Sequence, residues 1–455
     1  MGRHIYLTGG MTAGLYALVI TACTTTVSEP NWKNTAAHVQ ATTGYALSAE
    51  PRTAHDAPEQ LPSTGLRLND AMHIALTRSL RLQAAFHAVG VAEADLAQAA
   101  MLSNPSLSFG LLAPFQGGRP QLTVDALQPL QELWYREERV STADAQRLLS
   151  VEQLCQVAHE VLVEARAAWL ATVEARAWQA QLQSERALAQ AERDMQRDLL
   201  SLGEGLQVDL ARAESALEAA QLALDEHQAS LAAAHARLQA AMSVSLPLDA
   251  VELDPSAPAA ELPSLDAVLA SAQTQRVELR LRRAETLQAE RALALAEAQA
   301  RPAVSAGLSY EQLAENGSGT LGPAATVELP IFSTGAAQIA SARQEFLRRQ
   351  ALQSEAEREV SLDVQQAWHG LRTALEAERQ ASARVLPAAR NELQLTQALV
   401  DAGAATRREL VGVQRQVLVA EQAVLRTQLQ RLRAQLAFEE ASGRPLASDP
   451  QPSGL

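Results

Sequence analysis

Residues 301–310 read RPAVSAGLSY, and their last seven change the period of the chain. Val304, Ala306, Leu308 and Tyr310 alternate with Ser305, Gly307 and Ser309. A period of two with one polar face predicts a strand, not a helix. About 200 residues earlier SLSFGLLA (106–113) has the same alternation. There Leu107, Phe109 and Leu111 alternate with Ser106, Ser108 and Gly110. Each segment is followed by a polar connector, PFQGGRP (114–120) or AENGSG (314–319), and then by a second alternating segment. In these, Leu122 and Val124 alternate with Thr123 and Asp125, and Val327 and Leu329 with Thr326 and Glu328. Two β-hairpins are therefore predicted, over about 104–129 and about 301–330. Their strands are long enough for a tilted crossing of a bilayer. The alternative is an amphipathic hairpin packed on a soluble core.

Outside the hairpins the chain reads as helix. It has 455 residues, 47% hydrophobic but only 4% aromatic, and Ala and Leu dominate. That is the composition of long helices or coiled coil. Leu210, Leu217, Leu224, Leu231 and Leu238 recur every seven residues. Ala213, Ala220, Ala234 and Ala241 form a second seam, with His227 in its remaining slot. The preceding helix repeats Leu154, Val161, Ala168, Ala175, Leu182 and Ala189. Heptads predict left-handed packing against partner helices. A helix over 136–201 would be roughly 100 Å long, too long for a compact globule. The net charge of −14 argues against nucleic acid and biases any pore toward cations.

The plan occurs twice. Asp70-Ala71 matches Asp266-Ala267, NPSLSFG (104–110) matches RPAVSAG (301–307), and Trp169 matches Trp368. LGEGLQVDL (202–210) matches AGAATRREL (402–410), and the offset drifts only from 196 to 201 along the unit. A duplicated helix–hairpin–long helix–helix unit is predicted, at 66–250 and 264–445. Its opening helices are expected at about 68–102 and 264–300, and its Gly turns at about 202–206 and 401–405. A Pro-rich linker at 251–263 joins the two copies. Four strands cannot close a barrel in lipid, where each unsatisfied backbone group costs several kcal/mol. A membrane-spanning form must oligomerise, and twelve strands suit a wide conduit better than eight.

The order of these elements resembles the TolC-type outer membrane factor family. The likeness rests on NPSLSFG and ARPAVSAG at helix-to-strand transitions and on VELPIFSTGAAQIASARQEF (327–346). It rests also on DAGAATRRELVGVQRQVLVAEQAVL (401–425). The resemblance implies a mainly α fold with membrane β: a homotrimer with a 12-stranded barrel in the outer membrane and a periplasmic α-helical coiled-coil tunnel. It implies an exit duct for an inner-membrane pump, RND-type or other, joined through a periplasmic adaptor at the helical tips. The tips are expected at Gly203, Gly205 and Gly403, where glycine permits a tight reversal. The resemblance places gate acids just beyond the second tip. Glu409 fills one such position and Gly412 stands where relatives carry another. Asp209 matches Glu409 in the first repeat, and Arg407 and Arg408 are candidate partners. The alternative is that both acids favour a helix N-terminus from solvent. LQPLQELWYREERVSTADAQ (127–146) is loosely similar to heavy-metal efflux members. Its Trp134-Tyr135 suits either the membrane interface or the joint between barrel and tunnel.

At the N-terminus, residues 1–22 read as a signal peptide. Ile20-Thr21-Ala22-Cys23 resembles a lipobox, which implies a lipid on Cys23 and anchoring to the cell outer membrane. An ordinary secretory signal or a retained anchor are the alternatives. Residues 23–65 read as an extended linker and 446–455 as a flexible tail. Cys155, lacking a partner, reads as a small buried residue. No paired Cys, no His-x-x-x-His, no nucleotide loop and no Gly-x-Ser-x-Gly elbow occurs, so neither an enzyme, a metal site nor a cofactor is expected. The competing reading is a non-transporting coiled-coil periplasmic lipoprotein scaffold.

Overall fold

The computed structural model describes residues 32–45, 66–113, 115, 119–245, 262–312 and 317–443. The segment read as a signal peptide, Cys23, the stretch read as a C-terminal tail and nearly all of the 251–263 linker lie outside these residues.

The first repeat comprises α2 (Leu68–Arg78), α3 (Leu80–Ala100), β1 (Ser106–Leu112), β2 (Gln121–Pro129), α4 (Gln131–Ser201) and α5 (Gln207–Met242). It follows a short helix, α1 (Trp32–Thr43). The second comprises α6 (Leu265–Gln275), α7 (Val277–Gln299), β3 (Val304–Gln312), β4 (Gly319–Val327), α8 (Ala336–Gln380), a π-helical turn (Ala381–Val385), α9 (Leu386–Asp401) and α10 (Arg407–Ser442). The two sets match in order, with α8, the π-helical turn and α9 together standing where α4 stands, and α5 and α10 are both 36 residues long. Equivalent tryptophans also perform the same task. Trp169 Nε1 donates to the Leu66 carbonyl at 3.4 Å and Trp368 Nε1 to that of Pro263 at 2.9 Å. Each indole fixes the entry of its repeat onto the long helix.

Three features differ from the sequence reading. The opening helix of each repeat is broken, at Ser79, which is extended, and at Arg276, whose ψ of 123° also leaves the helical region. At the first break the Ser79 hydroxyl accepts the Leu82 N–H at 3.2 Å, which caps α3 and satisfies one orphan donor. The break lets α2 turn Ala71, Met72, Ile74, Ala75 and Leu76 into the core. The long helix of repeat two is interrupted at 381–385. Pro387 follows immediately and has no N–H for the preceding turn, a sufficient cause for the altered pairing. Third, the stretch read as an extended linker contains α1. Among its described side chains only Thr35 and Val39, four residues apart, are buried. A two-residue seam in a Thr-rich segment leaves no readable period.

α4 carries the core of repeat one. Leu154, Ala158, Val161, Leu162 and Ala165 pack with Met72, Val89 and Leu238. In repeat two Val268, Leu279, Val360, Val364, Leu371 and Phe438 do the same. Leu154 is fully enclosed. Leu154→Ala should destabilise the fold by about 2–5 kcal/mol, read as a lowered Tm of the detergent-extracted protein. By contrast α9 buries none of its residues, and Leu395 and Leu399 stand exposed on it.

Candidate functional site

The four strands form one antiparallel sheet in the order β1-β2-β3-β4. β2 pairs with β3 through Val124 opposite Tyr310 and Ala126 opposite Leu308, so the two repeats share a continuous sheet. Register sorts the side chains by face. One face carries Leu107, Phe109, Leu111, Leu122, Val124, Leu308, Tyr310, Leu321 and Val327. Phe109 and Leu321 are each 70% exposed. The opposite face carries Ser106, Ser108, Thr123, Asp125, Ser305, Ser309, Glu311, Thr320 and Thr326, with Leu112 and Leu127 among its apolar exceptions. Asp125 and Glu311 are the only charged residues in the four strands. Asp125 accepts the hydroxyls of Ser108 at 3.2 Å and Ser309 at 2.5 Å, and Glu311 accepts the Gln121 amide. Gly307 lies where β3 presses on β2. A Cβ there would overlap the Ala126 carbonyl oxygen and sit 2.8 Å from its carbon. Among the described residues β1 and β4 each pair on one side only, so the sheet has two open edges.

The sheet is fastened to the helices at its base. Arg136 and Arg139 donate to the Ala100 and Ala99 carbonyls, both at 2.9 Å, and cap the C-terminal end of α3. Glu132 accepts the Ser103 N–H at 2.8 Å. The Arg139 guanidinium lies 6.0 Å from the Tyr135 ring centroid, so Tyr135 packs at this joint, while Trp134 is exposed. Among the described residues no helix is long and apolar enough to cross a membrane.

At the other end the tips are two copies of one turn. Gly203 and Gly403 are left-handed, with φ of 78° and 72°. Glu204 N–H donates to the Leu199 carbonyl at 2.9 Å, and Ala404 N–H to that of Leu399 at 2.8 Å. Gly205 has its counterpart in Ala405, but a Cβ at Gly205 would lie 2.7 Å from the Leu200 nitrogen. Leu202 and Leu206 are exposed around the first turn.

The four gate candidates separate here. Arg408 Nη2 donates to Asp209 Oδ2 at 2.8 Å, a bond from the second tip to the first. The Asp209 side chain is 17% exposed and Arg408 61%. Arg212 adds a second contact to Asp209 at 3.5 Å. Glu409 instead closes a capping box. Its carboxylate accepts the Thr406 N–H at 2.7 Å, and the Thr406 hydroxyl accepts the Glu409 N–H at 3.3 Å. The Thr406 N–H, and after it the Thr406 hydroxyl donating to the same carboxylate at 3.1 Å, hold the Glu409 carboxyl below its ordinary range. Arg407 is exposed. The Asp209–Arg408 pairing spans 199 residues, and of the two candidate arginines it is Arg408 that meets Asp209.

No protein-family model matches the sequence, and neither does any curated protein sequence. Solved structures do match. CusC, which forms a transmembrane channel, is similar with a TM-score of 0.68 at 17% identity, over 88% of this chain and 98% of that one. The outer-membrane channel OprN gives a TM-score of 0.68 at 16% identity, over 87% and 100%. The outer membrane channel MtrE of Neisseria gonorrhoeae, seen in its open state, gives 0.64 at 18% identity, over 89% and 96%. The chain has the fold of the TolC-type outer membrane channels.

Proposed function

We propose that the chain is the outer membrane channel component of a tripartite efflux or secretion system and gives substrate a passive exit. The observation that carries this is the sheet: apolar on one face, polar on the other, open at both edges, and mounted on a rod of helices. In lipid such edges must be closed, and β4 of one copy can pair with β1 of the next. Three copies make twelve strands around a polar lumen, and the exposed Leu395 and Leu399 of α9 find cover against neighbouring copies. The long helices then form the periplasmic tunnel. The exposed Leu202 and Leu206 suit docking by a periplasmic adaptor, which joins the channel to an inner-membrane pump, RND-type or other. A lipid on Cys23 would hold each protomer in the outer membrane beside the barrel. No catalytic step is assigned to the chain, and energy comes from the pump.

The test is the mass, heat-modifiability and planar-bilayer conductance of the detergent-extracted protein, with Cys23→Ser alongside. A conducting trimer that resists mild SDS in both supports the channel. A non-conducting monomer or dimer, released from membranes by the mutation, sinks it and leaves the tethered scaffold. The strand charges make a further prediction. In a trimer Asp125 and Glu311 place carboxylates, and no cations, on the lumenal wall of the strands. The channel should prefer cations. In the double variant Asp125→Asn, Glu311→Gln the reversal potential across a KCl gradient should move toward zero, while the trimer persists.

A further inference from the structure

Docking of α1 on α4 assembles a cluster that the channel reading does not use. His38 Nε2 lies 3.1 Å from Glu152 Oε1. Cys155, one turn along α4 from Glu152, places its Sγ 3.9 Å from Thr42 Oγ1, and Thr42 is one turn along α1 from His38. One nitrogen, one oxygen and one sulfur donor atom thus lie within 4.8 Å of one another. Cys155 is a free thiol and fully buried. The side chain of Glu152 is 15% exposed and that of His38 43%, so the cluster opens toward solvent on the imidazole side.

The carboxylate is already oriented from outside. Arg280, reaching over from α7, donates to Glu152 Oε2 through Nε at 3.0 Å and Nη2 at 2.6 Å. Its Nη1 donates to Thr42 Oγ1 at 2.7 Å. One carboxylate oxygen is therefore fixed by an outer partner while the other faces the imidazole and thiol. That is the usual arrangement of a carboxylate ligand with a supporting second layer.

We propose that His38 Nε2, Glu152 Oε1 and Cys155 Sγ bind a borderline divalent transition-metal cation of the zinc class, with water from the open side as fourth ligand. Thiol and imidazole donors favour such ions over magnesium or calcium, and three protein ligands plus water make a common tetrahedral set. Bonds of about 2.0–2.3 Å need the donors somewhat closer together, and His38, the most exposed of the three, has room to close in. The ion replaces the thiol proton and any proton on Nε2. It also displaces the 3.1 Å approach of Arg280 Nη2 to His38 Nε2, and leaves the arginine on Oε2. A bound ion would pin α1, and with it the N-terminal arm, to the first repeat. The proposal does not depend on the channel reading.

Cobalt(II) is the direct probe. Titrated into the full-length detergent-extracted protein, it should give a near-ultraviolet thiolate charge-transfer band and tetrahedral visible bands, saturating at one ion per chain and bleached by Zn²⁺. Cys155→Ser should abolish the charge-transfer band. His38→Gln, at a side chain 43% exposed, should weaken binding at least tenfold with an unchanged circular dichroism spectrum. Absence of the bands in the wild type, or bands that persist in Cys155→Ser, would overturn the site. So would unchanged affinity in His38→Gln, which also decides the matter if the serine variant does not fold.

Discussion

Gly307→Val should leave no SDS-resistant oligomer and no bilayer conductance, whereas Gly322→Ala should behave as wild type. Both glycines lie in strands, on the same polar face. They differ in what a side chain meets. At Gly322 an added Cβ finds nothing within 4 Å. At Gly307 it overlaps the Ala126 carbonyl oxygen and approaches Leu127 Cα to 2.9 Å. The obstacle is backbone, which cannot rotate aside as a side chain can. Strand β3 must lift away from β2 at the seam that joins the two repeats within the sheet. In water the lost pairs would be replaced by solvent. In lipid each orphaned group costs several kcal/mol, and the lost pairing recurs in every protomer. The measurement is heat-modifiability on mild SDS gels, with conductance beside it. A Gly307→Val protein that assembles and conducts normally would mean that this β2–β3 register is not the one the working channel uses.

The hairpins and the duplication were legible because their signals are local. Ser305, Gly307 and Ser309 alternate with apolar neighbours whatever the tertiary structure, and Gly203 and Gly403 mark reversals by backbone geometry alone. The breaks at Ser79 and Arg276 were not legible, since the apolar pattern continues across both. The helices part there because α2 and α6 fold onto the long helices, a tertiary cause. α1 escaped for the opposite reason, having only Thr35 and Val39 to bury. Sites built by assembly were hidden more deeply. Asp209 and Arg408 were both named as candidate gate partners, but which acid each arginine meets is set by how the two tips pack. Cys155 looked like one more small core residue until His38 and Glu152 stood beside it. Family resemblance pointed to the fold that the solved channels share with this chain at only 14–18% identity.

Arg408→Ala and Asp209→Asn should each raise the open fraction of the reconstituted channel about tenfold, while Glu409→Gln should not. Geometry separates the three. The Asp209–Arg408 bond ties α5 to α10 across the two tips of one protomer, so it must break if the tips part. Glu409 bonds only within its own turn, through Thr406, and moves with its helix. A partly exposed ion pair contributes roughly 0.2–1 kcal/mol, so one bond would barely bias an equilibrium. Three bonds that break together sum to roughly 1.5 kcal/mol, about a factor of ten. The same reasoning fixes two controls. The double variant Asp209→Asn, Arg408→Ala should open no further than either single one, because each removes the same bond. High salt should narrow the gap between wild type and variant, because Arg408 is exposed and its attraction is screened. Loss of the Glu409 side chain should instead cost the α10 terminus about 1 kcal/mol of helix stability and leave conductance near the wild-type level. If Glu409→Gln opened the channel and Arg408→Ala did not, the constriction would lie in a ring of Glu409 carboxylates around the trimer axis. The bond between the tips would then be only a surface contact.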